Sequence, residues 1–318
     1  MSTPLAKAAS SGFHDASAYD AHRPSYPDAA VSAFLSRFNL QSSTATDGIR
    51  DAQKIVEIGA GTGKFTELLS RHAVQAAAAG AGSAQTMDIL AVEPHEQMRA
   101  QLAAKNLPHV TVVDGHSADL SMVEDSTADA VIAAQAFHWF ANHETLKEIH
   151  RVLKPDSFVG VIWNIEDYNK PAVWPAKAAW EQSLNDIIFS LAHDGCPRFR
   201  DGQWRKAFDE AAVTDAKANR AALYAPLADD QVYWTVQLTP EALWKRLLTL
   251  SQIANLPETG PNDEEEATAD RTAEPTSRAA VRQRFEAALA QDDAVRNDQG
   301  EVTIHAVTYF AWAQKLAA

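Results

Sequence analysis

Lys54-Ile55-Val56-Glu57-Ile58-Gly59-Ala60-Gly61-Thr62-Gly63-Lys64-Phe65 is the stretch around which the chain is organised. Ile55, Val56 and Ile58 read as a short buried strand, followed by a glycine turn and the first residues of a helix. Glycines at alternate positions allow backbone conformations that a Cβ forbids and let a ligand approach the main chain. The helix that follows turns its free N–H groups and positive dipole end toward that ligand. A nucleotide-like molecule is the implied occupant. Spacing narrows the choice. A dinucleotide fingerprint needs glycine or alanine at position 64, where Lys64 stands. A P-loop needs glycine at 58 and Ser or Thr at 65, where Ile58 and Phe65 stand.

Composition sets the frame. The chain has 318 residues and 34.6 kDa, enough for one large α/β domain with a covering segment. Its formal net charge of −14 argues against nucleic acid or an anionic membrane as partner. The lone cysteine, Cys196, excludes an intramolecular disulfide and suits a reducing compartment. With no leader and no long apolar run in view, the sequence is read as soluble and cytoplasmic. Oligomeric state is left open.

An acid followed by alternating glycines resembles motif I of the class I S-adenosylmethionine (SAM) dependent methyltransferases. The resemblance implies that Glu57, Gly59, Ala60, Gly61 and Gly63 form the cofactor turn. The next strand, Ile89-Leu90-Ala91-Val92, ends at Glu93-Pro94. In nucleotide-binding α/β units an acid about 20 residues past the glycines grips the ribose hydroxyls. Here the separation is longer, and removing the alanine-rich low-complexity stretch 73–86 restores it. Glu93 is therefore the expected ribose contact, with Pro94 beside it. A third strand, His109 to Val113, runs into the loop whose His116, Ser117 and Ala118 flank the adenine by the same resemblance.

Ala128 to Ala134 is small and apolar, as suits a strand covered on both faces. It ends in Gln135-Ala136-Phe137-His138-Trp139-Phe140, similar to the A-F-H-W-F run at motif IV of a small-molecule subgroup near the ubiquinone/menaquinone and trans-aconitate enzymes. That likeness puts Gln135 and Ala136 at the cofactor, and Phe137, His138, Trp139 and Trp163 at the substrate. His138 is the candidate general base, because imidazole titrates near neutrality; the competing role is to hold the aromatics beside it. Upstream, Tyr19-Asp20-Ala21-His22-Arg23-Pro24-Ser25-Tyr26-Pro27 resembles the arm that folds over the SAM pocket, which adds Tyr19 and Arg23 to the cofactor set. Its alternative role is to staple the helix carrying Val31, Phe34, Leu35 and Phe38. No metal site is read.

The resemblance runs to residue 164 and implies a doubly wound, Rossmann-like α/β fold with a seven-stranded, mostly parallel sheet. Residues 1–50 form the arm and its helix, 51–164 the SAM-binding core, 165–230 an inserted helical substrate lid, and 231–318 the closing strands and helices. A Pro/Thr/acid-rich insertion near 257–277 reads as disordered. The last strand, starting at Val302, is expected antiparallel between the fifth and sixth. Residues Arg151 to Ser157 are expected to turn into the fifth strand, with Asp156 and Ser157 replacing the two glycines usual there. The leading functional expectation is methyl transfer from SAM to a hydroxyl or carboxylate oxygen of a small molecule. The alternatives are a SAM-binding protein without methyl transfer, and an NAD-type oxidoreductase, which Lys64 disfavours.

Overall fold

The computed structural model describes residues 16–38, 52–79, 87–217, 221–260 and 275–317; the side chain of Tyr19 lies outside this description. In chain order it opens with helices α1 (Ala16–His22) and α2 (Asp28–Leu35), strand β1 (Gln53–Ile58), α3 (Lys64–Ala79), β2 (Met87–Val92), α4 (Glu96–Ala104), β3 (Val110–Val113) and β4 (Ala128–Ala134). Helix α5 (His143–Val152), β5 (Leu153–Glu166), α6 (Ala179–Ser190), α7 (Gln203–Lys217) and β6 (Ala228–Leu238) follow. The chain closes through α8 (Pro240–Leu247), α9 (Ser251–Ala254), α10 (Arg278–Leu289) and β7 (Val302–Gln314).

The strands form one seven-stranded sheet in the order β3-β2-β1-β4-β5-β7-β6. β1 to β5 run parallel, and β7 lies antiparallel between β5 and β6. This is the expected doubly wound architecture. Central strands are apolar on both faces because both are covered. Ile55, Ala130, Ile132, Ile162 and Phe310 pack with Phe34, Phe38 and Phe65 on one side. Val56, Ile58, Val131, Ala133 and Val161 pack with Leu146, Ile149, Trp204 and Phe208 on the other. The alternation follows from the two-residue period of a strand. Edge strand β6 alternates between exposed and half-buried positions instead.

Local signals account for several boundaries. Thr239 accepts the Ala242 N–H at 3.2 Å and Pro240 occupies the first helical position of α8, the start that a threonine cap followed by proline favours. Asn142 caps α5 by accepting the Thr145 N–H at 2.9 Å. Pro27 takes an extended conformation at the cap of α2, one position earlier than a first-turn proline.

The turn expected before β5 is a bulge within the strand. β4 pairs Ala128 with Leu153 and Ala130 with Phe158, so 154–157 loop out of register. Asp156 there holds φ +61°, the left-handed conformation a glycine would adopt without strain.

Helices α6, α8 and α10 build a further core around Trp180, Leu184, Leu243, Trp244, Val281 and Phe285. The covering layer over the carboxyl edge of the sheet therefore draws on both 165–230 and 231–318. Of the insertion near 257–277, residues 261–274 lie outside the described residues, as do 1–15, 39–51 and 80–86. Its flanks clasp each other: the Arg278 N–H donates to the Pro257 carbonyl at 2.8 Å, and the Arg278 guanidinium meets Glu258 at 2.8 Å. Ser277 is fully buried and caps α10 through the Ala280 N–H at 3.0 Å. It is an ordered cap at the C-terminal flank of the insertion read near 257–277.

Candidate active site

The turn between β1 and α3 has Gly59, Gly61 and Gly63 at φ +68°, +60° and +87°, all left-handed. Two of them also lack room. A Cβ on Gly59 would lie 2.7 Å from the Ala136 Cβ, and one on Gly63 would lie 2.2 Å from Leu102 Cδ1. Gly61 differs, since its nearest neighbour would be Met98 Sδ at 3.8 Å. Protein packing thus demands glycine at 59 and 63, whereas the space beside Gly61 stays open for a ligand. The turn fits the methionine end of SAM.

Glu93 holds that turn in place. Its Oε2 accepts the Gly61 N–H at 2.7 Å and its Oε1 accepts the His95 N–H at 2.8 Å. Burial pushes its carboxyl up from the ordinary value, while these two N–H groups and Arg99 pull it back. Arg99 in turn donates to the Glu93 carbonyl at 2.8 Å and the Pro94 carbonyl at 3.0 Å. Each carboxylate oxygen keeps a further lone pair, so ribose hydroxyls can still donate to Glu93. Glu57 lies deeper, 1% exposed, and accepts the Thr66 hydroxyl at 2.7 Å. Burial drives its carboxyl up to about 8, the Thr66 hydroxyl opposes this, and the Glu93 charge adds to it. Glu57 is accordingly a neutral acid at pH 7, and a support of the turn.

Arm helix α1 docks on the same turn. Asp20 Oδ1 accepts the Thr62 hydroxyl at 2.7 Å and meets Lys105 Nζ at 3.0 Å and Lys64 Nζ at 4.0 Å. A few residues on, Arg23 donates to the Thr249 carbonyl at 3.1 Å and Arg246 donates to the His22 carbonyl at 3.0 Å. Tyr26 packs edge-on to Phe65 at 5.1 Å, the stapling role. The arm therefore bridges the glycine turn and the C-terminal helices. Asp20 was not among the expected contacts, although it sits inside the quoted arm motif.

Of the expected adenine loop, Ser117 Oγ lies 3.2 Å from Thr145 Oγ1, His116 is half-buried and Ala118 is exposed. Gln135, at φ +57°, donates from Nε2 to the Asn164 carbonyl at 3.0 Å, tying the end of β4 to the end of β5. Asn164 donates to the Ser25 carbonyl at 3.1 Å and accepts the Thr308 hydroxyl at 2.6 Å. Ala136 supports Gly59.

The expected substrate aromatics separate by burial. Phe137 is fully buried, 5.6 Å from the Phe208 ring, and Trp163 is 1% exposed between Phe199 at 5.0 Å and Trp204 at 4.6 Å. In this structure α7 and the Phe199 turn cover both. His138 and Trp139 stay half-buried.

Trp163 Nε1 donates to His138 Nδ1 at 3.1 Å. Indole can only donate, so Nδ1 carries the lone pair and Nε2 the proton. Burial, followed by the charges of Arg198 and Arg23, pushes the imidazole down to about 3. His138 is thus a neutral ring presenting an N–H, poorly suited to take a proton at pH 7. That geometry favours the positioning role over the base.

Comparison with known proteins agrees with this architecture. Residues 56–161 match a family model described as a methyltransferase domain. An uncharacterized methyltransferase-like protein of Schizosaccharomyces pombe is 32% identical over 61% of this chain and 63% of its own length. A second S. pombe relative, an uncharacterized methyltransferase, is 34% identical over 50% of this chain. The chain thus spans 63% and 54% of those two relatives. An uncharacterized methyltransferase of Mycobacterium bovis is 30% identical over 71% of this chain and 70% of its own. Among solved structures, one from Anaeromyxobacter dehalogenans, described as a type II methyltransferase, superposes with TM-score 0.50 at 16% identity. It covers 93% of this chain and 99% of that one, a likeness of fold. Among the described residues no helix is long and apolar enough to cross a membrane, and no cluster of potential metal ligands occurs. The chain belongs to the class I SAM-dependent methyltransferases, in the type 11 group.

Proposed function

We propose that the protein transfers the methyl group of SAM to an oxygen of a small-molecule acceptor, with a carboxylate favoured over a hydroxyl. The observation that carries the reading is the glycine turn pinned by Glu93, with open space beside Gly61 alone among its glycines. SAM would be held there by the glycine turn and Glu93 and would supply an electrophilic methyl group with sulfur as its leaving group. The protein's share is alignment and exclusion of water. A hydroxyl acceptor needs a base. His138, with Nδ1 engaged by Trp163 and its basicity suppressed, does not supply one readily, whereas a carboxylate needs none. We assign the helical layer from 165–230, with α8 and α10, the role of enclosing the acceptor. In this reading Tyr19, Arg23, Ala60, Pro94, His116, Ser117, Ala118, Gln135 and Ala136 complete the cofactor surroundings.

The test is incubation with methyl-labelled SAM and a small-metabolite extract, with labelled products identified by mass spectrometry, alongside calorimetry of S-adenosylhomocysteine (SAH) binding. Binding of SAH and a base-labile methyl ester among the products are expected. No binding of SAH would refute the cofactor assignment.

A further inference from the structure

Beyond the resemblance, Arg198-Phe199-Arg200 forms a short turn between α6 and α7. Phe199 packs on Trp163, the residue that holds His138, and Arg200 donates to Asn169, which follows the carboxyl end of β5. Arg198 is the leading charge bearing on His138.

The arginines in this region are unequally matched. Arg198 pairs with Asp194 at 2.7 Å and also reaches Ser251 Oγ at 3.3 Å. Arg246 faces the buried Glu166 at 3.5 Å. Arg200 is half-buried, and its partners are neutral: the Asn169 side-chain oxygen and Gln252 Oε1 at 2.6 Å, with the Phe189 ring 4.8 Å from its Cζ. Asp201, the acid beside it, instead accepts the Arg198 N–H at 2.9 Å. Among the described residues no carboxylate stands within ion-pair distance of Arg200. Burial, then the neighbouring Arg198 charge, pushes the Arg200 guanidinium down to about 10. A guanidinium withdrawn from water beside a second one, without a carboxylate of its own, is costly unless an anion joins it. The nearest acids, Asp201 and Asp194, act on Arg200 only through space, and Asp194 is already paired with Arg198.

We propose that Arg200, with Arg198 beside it, receives an oxyanion of the acceptor, a carboxylate or a phosphate group, whose two oxygens match the planar guanidinium fork. The inference rests on the methyltransferase reading and names the acceptor class for that site. Occupied, the site gains the missing negative charge, and the acceptor is oriented from the end away from the glycine turn.

The test uses the full chain with inorganic phosphate and succinate as probes, at constant ionic strength set by chloride. Thermal melting and calorimetry are run on wild type, Arg200→Gln and Arg200→Lys, each also titrated with SAH. Wild type is expected to bind at least one probe. Arg200→Gln should bind it about tenfold or more weakly, the loss of a charge-assisted hydrogen bond. Arg200→Lys should fall between, and SAH affinity should be equal in all three. Preference for succinate assigns a carboxylate acceptor, and preference for phosphate a phosphorylated one. No probe binding by wild type, or equal binding by Arg200→Gln, with SAH binding intact, overturns the inference. Loss of SAH binding in wild type itself would instead strike the methyltransferase reading.

Discussion

Glu57 allows a quantitative test of how the glycine turn is supported. The substitution is Glu57→Gln, which keeps an oxygen to accept the Thr66 hydroxyl and cannot ionise. In the folded chain the Glu57 carboxyl is raised to about 8 from an ordinary 4.5, first by burial and further by Glu93. Between those values the folded protein holds a proton that the unfolded chain has released. Stability therefore falls as pH rises through this window, and the contribution is full only below the unfolded value. One pKa unit corresponds to about 1.4 kcal/mol, so this group costs wild type about 2 kcal/mol between pH 6 and 8. Glu93, also raised, adds a slope of the same sign in both proteins and cancels in the comparison. Urea melts at pH 5, 6, 7, 8 and 9 measure the difference. The variant should match wild type near pH 5 and exceed it by about 3.5 kcal/mol near pH 8, a melting-temperature gap of roughly 5 °C. Equal pH slopes, or a variant less stable than wild type at pH 8, would refute the reasoning, because Glu57 would then be ionised or exposed in the folded state.

Gly61→Val should abolish SAH binding in calorimetry, its Cβ meeting no protein atom closer than 3.8 Å and its left-handed φ adding backbone strain of about 1–2 kcal/mol; Gly63→Ala should lower stability further, because its Cβ would also strike Leu102. Tight SAH binding by a folded Gly61→Val protein would contradict this. Glu93→Ala should weaken SAM by about 1.5–3 kcal/mol, the range for hydrogen bonds to a charged group, with the exposed Asp88→Ala close to neutral. Equal losses in the pair would misplace the acid. His138→Ala should lower kcat less than tenfold on a carboxylate acceptor and leave the pH profile intact, whereas a loss of roughly 10²–10⁴ together with the pH dependence would restore the base. Replacing 261–274 by a short Gly/Ser link should hardly change melting or SAH affinity, because loop length costs little once Pro257, Glu258 and Arg278 keep the ends together. A fall of many degrees would show that the segment packs on the domain.

The parts legible in the sequence are those where one residue type meets one local physical demand. Left-handed φ at Gly59, Gly61 and Gly63, the buried apolar runs of β1 and β4, and the Thr239-Pro240 helix start are set by a few neighbouring atoms. The acid at Glu93 is likewise marked by its place at a strand end. Reading is incomplete where position depends on chain far away. Phe137 and Trp163 look like site residues because they lie at the carboxyl edge, yet Phe199, Trp204 and Phe208 bury them, and nothing local to β4 announces that cover. The same contact decides His138. An imidazole at a strand end reads as a base until an indole from β5 claims its Nδ1 and fixes the proton on Nε2. Arg200 is the extreme case. Arginine in a polar stretch reads as solvated, and its want of a carboxylate partner follows only from how Asn169, Phe189 and Gln252 converge on it. Cofactor geometry is local to one turn and the strands beside it, so a motif can encode it. In the proposed reading the acceptor side is assembled from separated segments, and its chemistry has to be read from which charges the fold leaves unmatched.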